Sequence, residues 1–295
     1  MTKTNADINI VATDTTNITD TTNITDTTNI TDTTNTKDTS INIINETDKD
    51  KGKGKTNKPS LSIVLPAFNE EKRIKYTISK LRSFLKLKKF NYEIIVVDDG
   101  STDNTINVLK DISNSDLRII TITRSGKGAA VKTGMLAANY EYIFFMDSDL
   151  STDEQEILKF INIFKNEKDV EIIIGSRYLP EKLTVIQPPF RNMVGKTFSF
   201  LKSQLLGLNY CDSQCGFKAF RKETAQKIFS KVTINGFSFD VEVLYIAELN
   251  KIKVKEVGVE WRHKPGGHVN IMIDSVPMIL DLFKIYLKKN YYLDQ

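Results

Sequence analysis

The sequence IFFMDSDLSTD, Ile143–Asp153, changes abruptly from apolar to acidic. The run Tyr142–Met146 is rich in β-forming residues and too short for a helix, which predicts a buried strand. Asp147–Asp149 follows at once, and the next residues have helical periodicity, with Ser151 and Glu154 at capping-box spacing. Two carboxylates are therefore predicted at the carboxyl end of a strand, where open α/β sheets bind ligands.

Asp147 and Asp149 have two interpretations. Asp and Ser are favoured turn residues, so the D-x-D segment taken alone favours a turn with a helix cap. Carboxylate oxygens at a strand end also suit Mg²⁺ or Mn²⁺, because Mg²⁺ usually takes one or two carboxylates together with substrate phosphate oxygens. The residues that follow the other predicted strands decide between a turn and a metal site.

Residues 1–57 differ in composition from the rest of the chain. They contain a TTNITD hexad repeat and end in a charged, glycine-spaced run. Such a segment buries too little apolar surface to offset its ordering entropy, so we predict a disordered Thr/Asn-rich tail. A β-solenoid built on the repeat is the alternative, which the lack of glycine and large apolar residues disfavours. Residues 58–295 fit one domain.

Composition excludes several classes of protein. The net charge of +4 is too small to indicate a nucleic-acid partner. Two cysteines, Cys211 and Cys215, and two histidines exclude a disulfide framework and disfavour a zinc site. A reduced, cytosolic location fits this cysteine usage best. No apolar run is long enough to span a membrane.

Strand and helix patterns alternate along the domain, which predicts a mostly parallel sheet flanked by helices. A later apolar run reads as a further strand, and Gln214–Lys218 reads as a strand that enters the site. The first four predicted strands are Leu61–Leu65, Glu93–Val97, Arg118–Thr123 and Tyr142–Met146, and the later one is Glu171–Gly175.

Polar residues follow the first three strands as well. Asn69 can cap the helix after the first strand, and Glu70 suits its first turn. Asp98 and Asp99 follow the second strand, and two adjacent carboxylates repel unless a cation or a donor group lies near them. Lys127, after the third strand, is flanked by glycines that let the backbone approach an anion. Helix caps remain the alternative for single acids.

Two other folds that place acids after strands are disfavoured. No G-x-G-x-x-G follows the first strand, and the glycine loop around Lys127 is not a Walker A motif, which argues against a dinucleotide fold. A response regulator would carry its acidic pair after the first strand, whereas Asp98 and Asp99 follow the second.

The motifs together resemble the GT-A glycosyltransferases of family 2, over about residues 60 to 290. The resemblance is greatest to the dolichyl-phosphate β-glucosyltransferase and dolichyl-phosphate mannose synthase branch. It implies a GT-A fold and transfer of a hexose from a nucleotide sugar to a polyprenyl phosphate. Glucose is the first expected hexose, with UDP-glucose as its donor. The matching segments are PAFNEE, VVDDGSTDNT, GKGAAVKTG, DSDLST, GSRY, QCGFKAF and FDVE.

The resemblance also implies roles for single residues. Asp147 and Asp149 match the metal-binding D-x-D, with Asp149 the firmer ligand, and Lys127 would lie close to the diphosphate. The residues that would contact the donor nucleotide are Pro66, Asn69, Glu70, Asp98, Asp99 and Asp147. Gln214 matches a residue near the donor sugar.

On the acceptor side, Arg177 and Arg191 match positions that meet the acceptor phosphate, and guanidinium groups bind phosphate in bidentate fashion. Lys218 is a third candidate for this phosphate. Asp240 matches a catalytic acid at the start of a helix. It would be the base for a hydroxyl acceptor, whereas an ionised phosphate acceptor scarcely needs one.

Two alternatives to transfer onto a lipid phosphate remain open, and a catalytic cysteine is disfavoured. A family 2 enzyme could act on a sugar hydroxyl with Asp240 as its base. A catalytically silent nucleotide-sugar-binding module is the second, which the intact D-x-D disfavours. Cys215 could be a nucleophile, although no histidine is near it in sequence and a small buried residue is expected instead.

The chain departs from the resembled enzymes at its ends. Those enzymes usually begin with a membrane-spanning segment, where this chain has the repeat tail. The C-terminal segment 271–289 is predicted to form a helix with a broad apolar face beside Lys284, Lys288 and Lys289. Such a helix could lie on an anionic membrane surface, or it could pack on the sheet. A peripheral location on the cytosolic face of a membrane, of the endoplasmic reticulum in a eukaryote, is expected.

Overall fold

A computed structural model describes residues 58–179, 189–262, 264 and 271–293, of which 189–197 and 271–275 by their backbone alone. Lys55–Gln295 forms one compact unit. The predicted tail, residues 1–57, lies outside the described residues and stays a prediction.

Seven strands form one mixed sheet in the order β3-β2-β1-β4-β6-β5-β7. β6 is antiparallel to β4 and β5, and the other neighbouring strands are parallel, which confirms the mostly parallel sheet. The strands are β1 (Ser60–Ala67), β2 (Asn91–Asp99), β3 (Leu117–Ile122), β4 (Tyr142–Met146), β5 (Ile172–Ser176), β6 (Phe217–Arg221) and β7 (Val254–Gly258).

Helices cover both faces of the sheet and produce two apolar cores. On α1, Ile74, Ile78, Leu81 and Leu85 are buried as their spacing predicted. One core contains these residues together with the inward side of α4, and the other contains the helices α3, α6 and α7. The helices are α1 (Ile74–Leu87), α2 (Thr105–Asp111), α3 (Lys127–Ala137), α4 (Glu156–Asn166), α5 (Pro189–Leu206), α6 (Lys222–Lys231), α7 (Phe239–Leu249), α8 (Ile271–Leu287) and α9 (Lys289–Tyr292).

Two local predictions on the chain are wrong. The strand expected at Gln214–Lys218 begins only at Phe217, because the preceding residues form a turn. The capping box of Ser151 and Glu154 does not form, since α4 begins later and Gln155 stands at its N-cap. The main-chain N–H of Ser151 instead binds the carboxylate of Asp149, which fixes the loop after β4.

The C-terminal helix ends earlier than predicted. α8 ends at Leu287, and α9 (Lys289–Tyr292) forms a separate turn rather than continuing to residue 289 as one helix. Leu282 and Ile285 pack into the core, whereas Leu280 and Phe283 are exposed. The predicted packing on the core is therefore confirmed for one side of α8, whereas the membrane contact of its exposed side stays a prediction. No described helix has the length and apolar character that crossing a membrane requires.

Candidate active site

The carboxyl ends of β1, β2 and β4 lie side by side at one edge of the sheet. Pro66 and Ala67 of β1 are opposite Val97 and Asp98 of β2, and β1 also pairs in parallel with β4, which ends just before Asp147. This is the edge at which open α/β sheets bind ligands. The strand ends predicted to bind the donor are therefore neighbours.

Two ion pairs form a cluster of four charges at this edge. Lys127 Nζ lies 2.7 Å from Asp147 Oδ1, and Lys218 Nζ lies 2.6 Å from Asp240 Oδ1. The ring of Phe145 joins the pairs, because its centroid lies 5.3 Å from the Lys127 amine and 5.9 Å from the Lys218 amine. Residues from α3, β4, β6 and α7 thus meet at one place.

Burial sets the protonation preferences within the four-charge cluster. The Lys218 and Asp240 side chains are 1% and 5% exposed, against 25% and 35% for Lys127 and Asp147. Burial is the largest influence on Asp240 and raises its pKa, although Lys218 and Lys127 act to lower it. Burial acts to lower the pKa of Lys127, but the charges of Asp147 and Asp240 outweigh it and the pKa is raised. Lys127 is therefore a persistent cation beside the D-x-D segment.

Asp147 and Asp149 differ in their surroundings. A Cβ added to Gly216 would lie 1.9 Å from Asp147 Oδ2, so only glycine leaves room for this carboxylate. Asp149 Oδ1 accepts a hydrogen bond of 2.8 Å from the main-chain N–H of Ser151. Leu150, with a φ of 52°, makes the tight turn that follows Asp149. Both carboxylates are only partly buried, so a ligand can reach them.

These two carboxylates fit a hard divalent cation. Within the described part of the chain, no group of three or more His, Cys, Asp or Glu side chains could hold a metal ion. Two carboxylates completed by substrate oxygens are a usual Mg²⁺ arrangement. Lys127 already pairs with Asp147, so a metal ion would have to compete with this lysine for the Asp147 carboxylate. At Asp149 the metal would not compete with Lys127 in this way.

The adjacent Asp98 and Asp99 have different partners. Asp99 accepts hydrogen bonds from the main-chain N–H groups of Ser125 at 2.7 Å and Gly126 at 2.9 Å, and it pairs with Arg124. It therefore holds the loop after β3. Asp98 Oδ1 is buried without a hydrogen-bond partner in the described part of the chain. An unpaired buried acceptor is costly, so Asp98 is the one suited to a ligand donor.

The loop after β1 is tied to the loop after β2. Asn69 has a φ of 54°, and its Oδ1 accepts a hydrogen bond of 2.8 Å from the main-chain N–H of Thr102. The N–H of Glu70 donates to Thr105 Oγ1 at 2.8 Å, and the Glu70 carboxylate pairs with Arg73. The prediction that Asn69 caps α1 is wrong, since Arg73 stands at that N-cap, and Glu70 precedes the first turn. Asn69 fastens two loops instead.

Gly126 and Gly128 admit another part of the chain rather than an anion. The N–H of Gly128 donates to the carbonyl of Asn235 at 2.7 Å. A Cβ at Gly126 would lie 2.5 Å from that carbonyl oxygen, and one at Gly128 would lie 2.5 Å from the carbonyl oxygen of Ile234. The expected anion contact at these glycines is therefore wrong, because protein backbone occupies the space.

Glu242 of α7 holds the segment that covers these glycines. Its buried carboxylate accepts hydrogen bonds from the N–H groups of Thr233 at 2.9 Å and Ile234 at 2.8 Å, and from the Tyr292 hydroxyl at 2.5 Å. Two residues earlier, Asp240 contacts Lys218. Sequence reasoning missed this role of Glu242, although an acid in the first turn of an apolar helix was a signal.

Comparison with known proteins identifies the family. The sequence profile described as glycosyl transferase family 2 matches residues 62–229, more than half of the chain. The chain belongs to glycosyl transferase family 2. It is a glycosyltransferase, as the resemblance implied.

Two relatives and one solved structure are similar to this glycosyltransferase. The dolichyl-phosphate beta-glucosyltransferase of Dictyostelium discoideum is 34% identical over 239 residues, which cover 76% of this chain and 73% of that protein. The human protein of the same name is 34% identical over 243 residues, covering 77% and 75%. Glucosyl-3-phosphoglycerate synthase from Mycobacterium tuberculosis, solved with Mn²⁺, UDP-glucose and phosphoglyceric acid, superimposes with a TM-score of 0.55 and 18% identity over 80% and 81% of the chains. The shared fold confirms the predicted GT-A architecture.

In this family 2 chain, Arg177 at the end of β5 is held by Asp212. Its Nε and main-chain N–H donate to Asp212 Oδ2 at 2.6 and 3.0 Å, and its Nη2 donates to Oδ1 at 2.8 Å. Burial would raise the pKa of Asp212, but the hydrogen bonds and charge of Arg177 outweigh it and the pKa is lowered. Sequence reasoning did not find Asp212, because nothing in its local pattern indicates an arginine partner.

Four further residues considered from the sequence lie in different environments. Lys218 also donates to the carbonyl of Cys215 at 2.7 Å and is buried, so it faces protein on that side. Gln214 is half-buried in the turn before β6. Arg191 lies in α5, and its side chain is outside the described ones. Burial raises the pKa of Cys215 to about 12, which confirms a core thiol rather than a nucleophile.

A segment after β7 returns to the D-x-D loop. Trp261 forms an antiparallel bridge with Thr152, and the N–H of Arg262 donates to the carbonyl of Ser151 at 2.7 Å. The Trp261 ring centroid lies 5.6 Å from Arg177 Cζ. Trp261 therefore connects the D-x-D loop to Arg177, a contact that sequence reasoning missed because β7 is the far edge strand of the sheet.

Proposed function

We propose that this glycosyltransferase moves a hexose from a nucleotide sugar to dolichyl phosphate or another polyprenyl phosphate. The first proposed donor is UDP-glucose. The observation that carries the proposal is the four-charge cluster of Lys127, Asp147, Lys218 and Asp240 at the ligand-binding edge of the sheet. The similarity to two proteins named dolichyl-phosphate beta-glucosyltransferase supports this choice of substrates.

The donor nucleotide would lie along the ends of β1 and β2. The unpaired Oδ1 of Asp98 supplies an acceptor for an N–H of the base or a hydroxyl of the ribose. Asn69 and Glu70 would help indirectly, because they fasten the adjoining loops. Asp99 would fix the loop that leads to Lys127. Pro66 would line the site from β1.

Asp147 and Asp149 would hold a divalent cation, Mg²⁺ or Mn²⁺, with oxygens of the diphosphate. When bound, this cation supplies positive charge to the leaving diphosphate. Lys127 adds a second positive charge beside Asp147, and its raised pKa keeps it protonated at neutral pH.

In the transfer step, an oxygen of the acceptor phosphate attacks the anomeric carbon. The bond from that carbon to the diphosphate breaks, its electron pair leaves with the nucleoside diphosphate, and the configuration inverts. Arg177, Arg191 and Lys218 are proposed to attract the acceptor phosphate. Gln214 would contact the sugar. Because a phosphate nucleophile is already ionised, Asp240 would position Lys218 rather than take a proton.

A second acceptor class is favoured by one observation. Burial raises the pKa of Asp240, as is required of a general base that works near neutral pH. With a sugar hydroxyl as acceptor, Asp240 would take the hydroxyl proton during attack. The dependence of rate on pH separates the two acceptors, because only the hydroxyl reaction requires Asp240 to be deprotonated.

The outward side of α8 and α9 is the surface that we propose to rest on an anionic membrane. Lys284 is 61% exposed and forms a basic border with Lys288 and Lys289. Apolar side chains beside lysines match the chemistry of an anionic lipid surface, and the polyprenyl acceptor resides in such a surface. The exposed apolar residues of this α8–α9 surface are Val276, Leu280, Phe283, Tyr286, Leu287 and Tyr291.

The proposed transfer is tested by incubating the purified protein with Mn²⁺, dolichyl phosphate and a panel of labelled nucleotide sugars. We expect labelled lipid-phosphate sugar from UDP-glucose, and its loss when a chelator removes the metal. Parallel reactions replace dolichyl phosphate with free sugars and glycans. A product with these hydroxyl acceptors and none with dolichyl phosphate would refute the lipid acceptor.

The α8–α9 surface gives a separate prediction about membrane binding. Replacing Leu280 and Phe283 together by serine should weaken binding to phosphatidylserine-containing vesicles by about tenfold or more, because each loses an apolar contact with lipid. Sedimentation with vesicles measures this binding. The matched control replaces Tyr76 and Leu87 of α1, which are 65% and 75% exposed, by serine. Equal losses in both double variants would contradict a membrane role for α8.

A further inference from the structure

The loop 210–213 is held between two charges of opposite sign, the buried Lys202 and the partly buried Glu256. Lys202 of α5 is 2% exposed, and its Nζ donates to the carbonyl of Tyr210 at 2.9 Å and to Ser213 Oγ at 3.3 Å. Glu256 of β7 accepts hydrogen bonds from the N–H groups of Cys211 at 2.9 Å and Asp212 at 2.6 Å. A buried ammonium such as that of Lys202 is costly unless it is hydrogen-bonded, and hydrogen bonds to a charged carboxylate such as that of Glu256 are strong, so this loop is held from both sides.

The fixed loop presents Asp212 to one edge of the Arg177 guanidinium. Asp212 binds the Nε and Nη2 groups and also the main-chain N–H of Arg177. A guanidinium is a planar fork with five N–H donors, so a carboxylate on its Nε–Nη2 edge leaves the Nη1–Nη2 edge for a second anion. Asp212 is therefore compatible with phosphate binding by the same arginine.

Aromatic rings fix the plane of this fork. The Trp261 ring centroid lies 5.6 Å and the Tyr178 ring centroid 5.5 Å from Arg177 Cζ. Cation–π contacts at such distances favour one orientation of the guanidinium. Trp261 also forms a β-bridge with Thr152 in the loop after the D-x-D segment. The ring that orients Arg177 is therefore attached to the loop on the donor side of the site.

We propose that Asp212 is a positioning residue that locks Arg177 for a phosphomonoester acceptor, with Trp261 as the ring that covers this subsite. The proposal rests on the proposed function for the identity of the acceptor. The binding of a phosphomonoester at Arg177 can be measured without any transfer reaction.

Asp212→Asn tests the proposal, because the amide keeps the size of the side chain and loses the bidentate acceptor. We expect the KM for farnesyl phosphate, a short polyprenyl phosphate, to rise by about tenfold or more. The KM for UDP-glucose should be unchanged. The matched control is Asp116→Asn, since Asp116 holds Arg82 by a similar pair at 2.7 Å, before β3 at the opposite edge of the sheet. An unchanged farnesyl phosphate KM, or an equal rise in the KM of both substrates, would overturn the proposal.

Trp261 is the only tryptophan of the chain, so its fluorescence reports on this place alone. Farnesyl phosphate should change the emission of the wild-type protein, and Asp212→Asn should move the midpoint by about tenfold. Inorganic phosphate in a second titration distinguishes recognition of the headgroup from recognition of the chain. If no nucleotide sugar supports transfer but the shifted midpoint is seen, the proposed function fails and the subsite stands. If farnesyl phosphate leaves the emission unchanged, or the midpoint is the same in Asp212→Asn, the subsite is refuted even where transfer occurs.

Discussion

Replacing Asp149 by alanine should lower kcat for transfer by at least about a hundredfold, because the positive charge at the leaving diphosphate loses its firmest protein ligand. The carboxylate is partly exposed and accepts a hydrogen bond from the N–H of Ser151. The fold should therefore tolerate its removal, and thermal unfolding should change little. Initial rates at saturating UDP-glucose and a titration with Mn²⁺ measure the effect.

A neighbouring acid provides the control for this prediction. Asp153 lies in the same loop, and its Oδ1 accepts a hydrogen bond of 2.9 Å from the N–H of Gln155, the same local bond that Asp149 makes with Ser151. Asp153→Ala should keep nearly full activity. If both variants lose activity alike, the loop geometry rather than a metal ligand is responsible.

Replacing Lys218 by methionine should destabilise the protein by about 3–5 kcal/mol, because it leaves the buried carboxylate of Asp240 without its partner. The pair is almost completely buried, with an Nζ–Oδ1 distance of 2.6 Å. At about 2–4 °C per kcal/mol for a domain of this size, the melting temperature should fall measurably. Thermal unfolding followed by circular dichroism gives the value.

The loss should depend on pH. Burial raises the pKa of Asp240, so the folded protein holds this proton to a higher pH than the unfolded chain does. Stability from such a group falls as pH rises from the ordinary Asp range through the folded pKa. Without Lys218 this pKa should rise further, and the destabilisation should be larger at pH 7 than at pH 5.

The double variant Lys218→Met with Asp240→Leu identifies the cause. Replacing both members of a buried ion pair by apolar residues is often neutral for stability, so much of the lost stability should return. Transfer activity should remain absent, because Lys218 and Asp240 both lie in the proposed site. If the double variant is less stable than Lys218→Met, the lysine acts through packing and not through Asp240.

The elements that carry a strong local signal were predicted well. The strand Tyr142–Met146 was predicted at the observed residues, and the buried stripe on α1 follows its apolar spacing. These features depend on residues a few positions apart, which the sequence displays directly. β7 was missed, because Val254–Gly258 is half polar and lies at the sheet edge.

Predictions that concerned the partner of a side chain succeeded less often. The sequence placed Asn69 at a helix cap and an anion at Gly126 and Gly128, whereas the fold joins Asn69 to Thr102 and the glycines to Asn235. In each case the local chemistry was anticipated, a side-chain acceptor or a close backbone approach. The partner comes from a distant segment, and local sequence contains no information on it.

The sequence by itself determined the family, the parallel sheet and the acids at its strand ends, because each rests on short motifs and on the period of the apolar residues. Only the tertiary structure decided which charges meet. Asp147 pairs with Lys127, Asp240 with Lys218 and Arg177 with Asp212. Each pair joins segments far apart in the chain, and their contact depends on how strands and helices pack. Burial then separates the acids, because it raises the pKa of Asp240 and leaves Asp147 and Asp149 partly exposed to a ligand.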